Sequence, residues 1–299
     1  MSSQPSAVAE SAGTAAQSAG TADQATYLGR LGARIAAVGT TLCLGVDPDP
    51  EGFPDGFGRD VRGVEHMARL ILEAALPRAA AVKFNLAFYE AFGSAGIAAL
   101  ERLRARVPAD VPIIADAKRA DIASTAARQA VAIFDALGAD AVTLNPYLGR
   151  DALEPFLAHT DRFAYVLCRT SNPGAAEFQG LETAGQPLFL AVARRVAAWS
   201  RDGAPVGLVV GATAPPELAQ VRTAAPELPF LVPGVGAQGG DIDAVLAAGP
   251  AAAGIAATVR GGALLVNVSR GIASAVTRGP DPVGPMAAAA EQWAGMLRC

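Results

Sequence analysis

The chain has 299 residues, is 52% hydrophobic and carries a net charge of -4. That length and apolar content suit a soluble globular protein with one large core or two smaller ones. The mildly acidic balance argues against nucleic acid as a partner, and no apolar run reaches membrane-spanning length, which argues against a membrane partner.

Residues 1–24 are dominated by Ser, Ala, Gly, Thr and Gln and contain no Lys or Arg. They have neither the basic start nor the apolar core of a secretory signal. The composition predicts a disordered N-terminal tail, one folded domain over 25–299 and a cytoplasmic location. An amphipathic helix is expected over 27–38, leading into a first strand at 41–47. Further strands are expected at 81–85, 112–117, 141–145, 163–168, 206–210, 230–232 and 263–268. Helices are expected between them, at 64–76, 96–106, 122–137, 151–158 and 187–200, then from 216 and from 242, with a terminal helix over 285–296. Each strand is a near-continuous apolar run, as in a parallel sheet covered on both faces. Eight such β/α units predict an α/β protein with a single-domain (β/α)8 TIM barrel; a doubly wound open sheet is the alternative. No G-x-G-x-x-G follows the first strand and no G-x-x-x-x-G-K occurs, so dinucleotide and P-loop readings are weak.

Cys43, Cys168 and Cys299 lack metal-like spacing. The first two fall in predicted strands, which predicts buried free thiols. His66 and His159 are the only histidines. Two are too few for a histidine metal site, and ordinary packing or surface roles are expected.

The third strand runs into Asp116-Ala-Lys-Arg-Ala-Asp121. An extended backbone points Asp116 and Lys118 the same way, because side chains alternate with period two. Asp121 follows at the turn into the next helix. Charge at the end of a buried strand is costly unless paired. A D-x-K pair alone also reads as an ion pair that ties down a loop. Lysine usage bears on that choice. Of 24 Lys+Arg, only Lys83 and Lys118 are lysine. Arginine does not release its proton near neutral pH and its fork is bulkier, so a chain this biased toward Arg is expected to keep Lys where an ammonium is needed. Lys83 also stands near a strand end, and strand C-termini form the working face of a barrel.

The other predicted strand ends carry Asp47, Asn85, Asn145, Thr170 with Ser171, Gly211, Gly234 with Gln238, and Ser269 with Arg270. Asn145 before Pro146 also reads as a turn cap, and Gly211 as backbone geometry alone. The glycine-rich loop 234–240 offers backbone N–H groups, and Arg270 opens a short helix. Together they suggest a phosphate site after the seventh and eighth strands, where this fold often has one; an ordinary loop with a solvent-facing Arg is the plain alternative.

These motifs, in order on successive strand ends, resemble the orotidine 5′-phosphate decarboxylase family, closest to its longer bacterial branch (type 2). The motifs are Leu44-Gly-Val-Asp47, Val82-Lys-Phe-Asn85, Asp116-Ala-Lys-Arg-Ala-Asp-Ile122 with Thr125, Arg169-Thr-Ser-Asn-Pro-Gly174, Pro233-Gly-Val-Gly-Ala-Gln238 and Asn267-Val-Ser-Arg270. The resemblance implies decarboxylation of orotidine 5′-phosphate to UMP and CO2, the last step of de novo pyrimidine nucleotide synthesis, with no metal or organic cofactor. It implies a catalytic Lys83-Asp116-Lys118-Asp121 tetrad in which Lys118 protonates a C6 carbanion. It places Asp47 and Lys83 on the ribose hydroxyls, Ser171 on the pyrimidine edge, and Gln238, Ser269 and Arg270 on the phosphate. Asp121 and Thr125 would reach a second subunit's site, making a homodimer with shared sites. Ala120 and Ala123 stand where the family often has glycine.

Other readings differ in class. A phosphosugar epimerase or sugar-acid decarboxylase shares the D-x-K-x-x-D core but generally uses a metal, and the 169–174 motif, which would face a base, argues against both. A Schiff-base aldolase needs a neutral amine, whereas neighbouring carboxylates favour a charged ammonium. A catalytically dead nucleotide sensor would not need the intact tetrad.

Overall fold

The computed structural model describes residues 25–236, 239–277 and 279–299. The tail expected over 1–24 and the site residue Gln238 lie outside the described residues. Eight strands form a closed parallel barrel: β1 Leu42–Val46, β2 Ala81–Asn85, β3 Ile113–Arg119, β4 Ala141–Leu144, β5 Phe163–Arg169, β6 Val206–Val210, β7 Phe230–Val232 and β8 Leu265–Val268. Each pairs with its neighbours in sequence, and β8 closes on β1. The open-sheet alternative is thereby excluded.

Period-two alternation sorts each strand into two layers. Leu42, Leu44, Val82, Phe84, Ile113, Ala115, Val142 and Val166 belong to the larger buried cluster, which the surrounding helices cover. Cys43, Ala81, Ile114, Ala141, Tyr165, Val209, Leu231 and Leu265 form a second cluster within the barrel. The inward positions become polar two residues further on. Ala81 is followed by Lys83, Ile114 by Asp116, Ala141 by Thr143 and Leu265 by Asn267. One end of the barrel is thus dry and the C-terminal end charged.

The helix Tyr27–Val38 closes the dry end. Thr26 caps it by accepting from Gly29 N, and Gly39 ends it in the left-handed region at φ 69°. Its buried side chains Tyr27, Leu31 and Ile35 fall four residues apart, on one face. They pack into the inner cluster, with Tyr27 stacked on Phe163 at 4.9 Å between ring centroids. Cys43 and Cys168 are buried free thiols, as expected. His66 stacks on Phe57, and His159 packs against Phe134. Among the described residues no helix is long and apolar enough to cross a membrane.

The main departures from the sequence reading surround β3. The strand runs on to Arg119, and Lys118 is not extended: its φ is +49°. The β3–β4 register shifts between Ala115 and Arg119, a bulge that alternation does not anticipate. The single helix expected over 122–137 is an α-helix, Ala123–Ala130, followed by a π-helical turn, Val131–Ala136. The long loop after β5 holds a small antiparallel pair, Glu182–Thr183 with Gln186–Pro187.

Ala123, at the turn from β3 into its helix, has φ +36°, in the region that favours glycine. A Cβ in that region costs about 1–2 kcal/mol, part of which glycine gives back as unfolded-chain entropy. Ala123→Gly is expected to raise stability by about 0.5–1 kcal/mol. Urea denaturation of the two proteins checks this, and a loss of stability would contradict the strain.

Candidate active site

The C-terminal ends of the strands surround a cavity of about 660 Å³. Its lining includes Asp47, Lys83, Asp116, Lys118, Ser171, Ser269 and Arg270. A slightly larger cavity of about 710 Å³ lies at the opposite end, beside Tyr27 and the first residues of β5 and β6. That one is mostly apolar and holds no buried charge cluster, so size alone does not mark the working end.

Lys83 lies in β2 and is only 3% exposed. Its Nζ is 2.9 Å from Asp116 Oδ2 and 3.7 Å from Asp47 Oδ1. Burial alone would push this ammonium's pKa down. The two carboxylates outweigh that and hold it above the ordinary lysine value. Asp116 lies in β3, paired in register with Asn85. Burial would push its pKa up, but Lys83 and Lys118 hold it well below the usual carboxylate range. Lys118 is half-exposed, with Nζ 2.6 Å from Asp116 Oδ1. One carboxylate is therefore shared by two ammonium groups. An ammonium so placed can stabilise negative charge developing nearby and deliver a proton to it.

Asp47 Oδ1, Asn267 Oδ1 and Ser269 Oγ are buried and have no hydrogen-bond partner among the described residues. Buried polar atoms are normally hydrogen-bonded, so three of them lining one cavity suit the polar groups of a bound molecule. Gly45 lets this wall close up: a Cβ there would lie 2.8 Å from Ser269 Cβ and 3.0 Å from Asn267 Oδ1. Gly211 does the same for the loop after β5. A Cβ at Gly211 would meet Ser171 N and Cβ at 2.8 Å, so backbone geometry there has a direct purpose. Gln179 fixes that loop by accepting from Thr170 N at 2.9 Å and donating to Thr170 Oγ1 at 2.8 Å. The Arg270 guanidinium is exposed at the rim and has no side-chain partner among the described residues.

Asp121 and Thr125 do not line the cavity of their own chain. Asp121 Oδ1 accepts from Ile122 N at 2.8 Å, and Thr125 is exposed in the first turn of the helix Ala123–Ala130. Asn145 accepts from Tyr147 N at 3.1 Å, so the turn-cap reading holds for it. The sequence reading missed Thr143 as a cavity residue and named Asn267 only within a motif, without a role. Each is a lone polar side chain within an apolar strand, and that was the available signal.

Fold and site together define a (β/α)8-barrel enzyme with a polar cavity at the strand C-termini, built on one carboxylate between two lysines. The family model described as "Orotidine 5'-phosphate decarboxylase / HUMPS family" matches residues 40–280, and the chain belongs to that family. An orotidine 5′-phosphate decarboxylase of Thermomicrobium roseum is 51% identical over 245 residues, 81% of this chain and 85% of that one. A solved OMP decarboxylase of Leishmania donovani superposes with a TM-score of 0.75 at 38% identity, covering 91% of this chain and 98% of that one. The UMP synthase of the same organism gives 0.78 at 39% identity; the match covers 91% of this chain and 56% of that longer one.

The pairing has a pH signature. Replacing Asp116 with Asn leaves Lys83 buried with only Asp47, at 3.7 Å. Breaking a buried pair on one side costs about 3 kcal/mol or more, so Asp116→Asn is expected to lose about that much at neutral pH. The folded-state pKa of Asp116 lies below its unfolded value, so its contribution is complete above about pH 4 and is lost as pH falls further. The stability gap between wild type and Asp116→Asn should therefore stay level above about pH 4 and narrow as pH falls to about pH 2 and below. Urea titrations across that range test it, and a constant gap would remove Asp116 from the linkage.

Proposed function

We propose that the chain decarboxylates orotidine 5′-phosphate to UMP and CO2 without a metal or organic cofactor. The observation that carries this reading is the Asp116 carboxylate held between Lys83 and Lys118 in the floor of the cavity. Loss of CO2 leaves a carbanion at ring carbon 6 with no adjacent carbonyl to delocalise it. A fixed ammonium beside that carbon lowers the barrier electrostatically and then supplies the proton. Lys118 takes this role, since it is the more exposed of the two lysines. Asp116, facing the substrate carboxylate, disfavours the bound ground state more than the transition state, in which that charge has moved onto the ring.

Asp47 and Lys83 hold the ribose hydroxyls, and Ser171 reads the pyrimidine edge. Gln238, the Ser269 backbone and Arg270 hold the phosphate, whose binding energy orients the ring from a distance. Asp121 and Thr125 serve the site of a second subunit. Exposed apolar side chains at Ile122, Tyr147 and Leu148, on the loops after β3 and β4, support an interface there. The protein then acts in the cytoplasm as a homodimer with shared sites.

The direct test is loss of orotidine 5′-phosphate absorbance on addition of the protein, with UMP as product. Lys118→Ala should lose at least about 10²–10⁴-fold in turnover while staying folded by circular dichroism. Lys118→Arg should sit near Lys118→Ala, because it keeps the charge but offers no transferable proton. Retention of about a tenth of wild-type turnover by Lys118→Arg would move the proton to another group, with Lys83 next in line.

Shared sites predict complementation. Lys118→Ala and Asp121→Ala homodimers should each be inactive, while mixed dimers regain one site with both residues intact and one with both defects. Activity should rise after subunit exchange; no rise despite demonstrated exchange would refute sharing.

A further inference from the structure

Thr143 lies within β4, 1% exposed, with its side chain against the floor of the cavity. Its hydroxyl oxygen is 3.0 Å from Ala117 N, 3.0 Å from Lys118 N and 2.9 Å from Asp116 Oδ1. Backbone N–H groups only donate, so both lone pairs of the hydroxyl are taken. Its one proton must therefore point to Asp116 Oδ1. That oxygen receives Thr143 and Lys118, while Oδ2 receives Lys83. The rotation of the carboxylate is fixed by donors on both sides.

The same hydroxyl answers the bulge in β3. The register with β4 shifts between Ala115 and Arg119, and Lys118 takes φ +49°. Ala117 N and Lys118 N lie within that break, and Thr143 Oγ1 accepts from both. Buried N–H groups left without an acceptor are destabilising, so the hydroxyl holds the bulge in shape. One side chain thus grips both the backbone that carries Lys118 and the carboxylate that Lys118 meets.

We infer that Thr143 is a positioning residue: through Asp116 and the backbone of Lys118, it sets the spacing between the carboxylate and the ammonium on which decarboxylation depends. The inference rests on the decarboxylase reading above. Thr143 holds the two groups in register rather than acting on the reacting carbon, so its loss should fall on the chemical step and spare binding of the phosphate and ribose.

The test compares wild type, Thr143→Val and Thr143→Ser on orotidine 5′-phosphate, with UMP affinity measured separately. Valine keeps the shape and removes the hydroxyl; serine keeps the hydroxyl. The expected result is a fall in kcat of about 10²-fold for Thr143→Val, the scale of a misplacement of about 1 Å. UMP affinity should change less than about threefold, and Thr143→Ser should recover kcat to within about fivefold of wild type. Should Thr143→Val fail to fold, Thr143→Ala carries the same comparison. The inference is overturned if the hydroxyl-free variant keeps kcat within about threefold, loses kcat and UMP affinity in parallel, or is no worse than Thr143→Ser. Wild-type turnover separates the two claims. An inactive wild type overturns the decarboxylase reading itself, whereas an active wild type beside an equally active Thr143→Val overturns only the role of Thr143.

Discussion

The site depends on a single carboxylate. Asp116 faces two ammonium groups, and its two contacts differ in kind. Lys83 is 4% exposed at its side chain, and a charge so buried is strongly destabilising unless it is paired. Lys118 is 49% exposed at its side chain, so its ammonium keeps part of its hydration and loses less than Lys83 would if the pair opened. The Lys83 contact therefore holds the structure together, while the Lys118 contact can be exchanged for another partner at lower cost.

The barrel supplies what this arrangement needs. Registers Gly45 with Lys83 and Asn85 with Asp116 bring the first three strands level at the cavity floor. Beneath them the inward layer is apolar, so the charges stand on a dry, close-packed base that favours strong electrostatic interaction. On the far side of β2 from β3, the ends of β1 and its neighbour β8 carry Asp47, Asn267 and Ser269, whose buried oxygens have no hydrogen bond among the described residues.

Much of this was legible in the sequence. The strands 81–85, 206–210 and 230–232 and the helix 27–38 lie where their apolar patterns put them, because local burial and flanking turn residues fix such boundaries. Lys83, Asp116 and Lys118 share one cavity, as strand-end placement predicted. The route by which Lys118 reaches Asp116 was not legible. Alternation along an extended strand would place both side chains on one face; the chain instead bulges and is held by Thr143, across the sheet and 25 residues further on. A constraint set by a neighbouring strand leaves no mark in the local pattern. The hairpin at 182–187 was hidden for a related reason: Glu182, Thr183, Gln186 and Pro187 show no apolar alternation, and the loop's own folding pairs them. Asp121 and Thr125 stand outside the cavity lining of their own chain, a placement that strand-end position alone does not give.

The helix Tyr27–Val38 has a consequence for traffic. With Tyr27, Leu31 and Ile35 packed across one end, the barrel is a vessel with a single door. Whatever enters at the strand C-termini must leave by the same opening. A gas released at the floor and a nucleotide held above it would share that route in a fixed order, the small molecule slipping past or waiting for the larger one. Turnover in such a vessel is bounded by how quickly its mouth clears, however fast the chemistry beneath it.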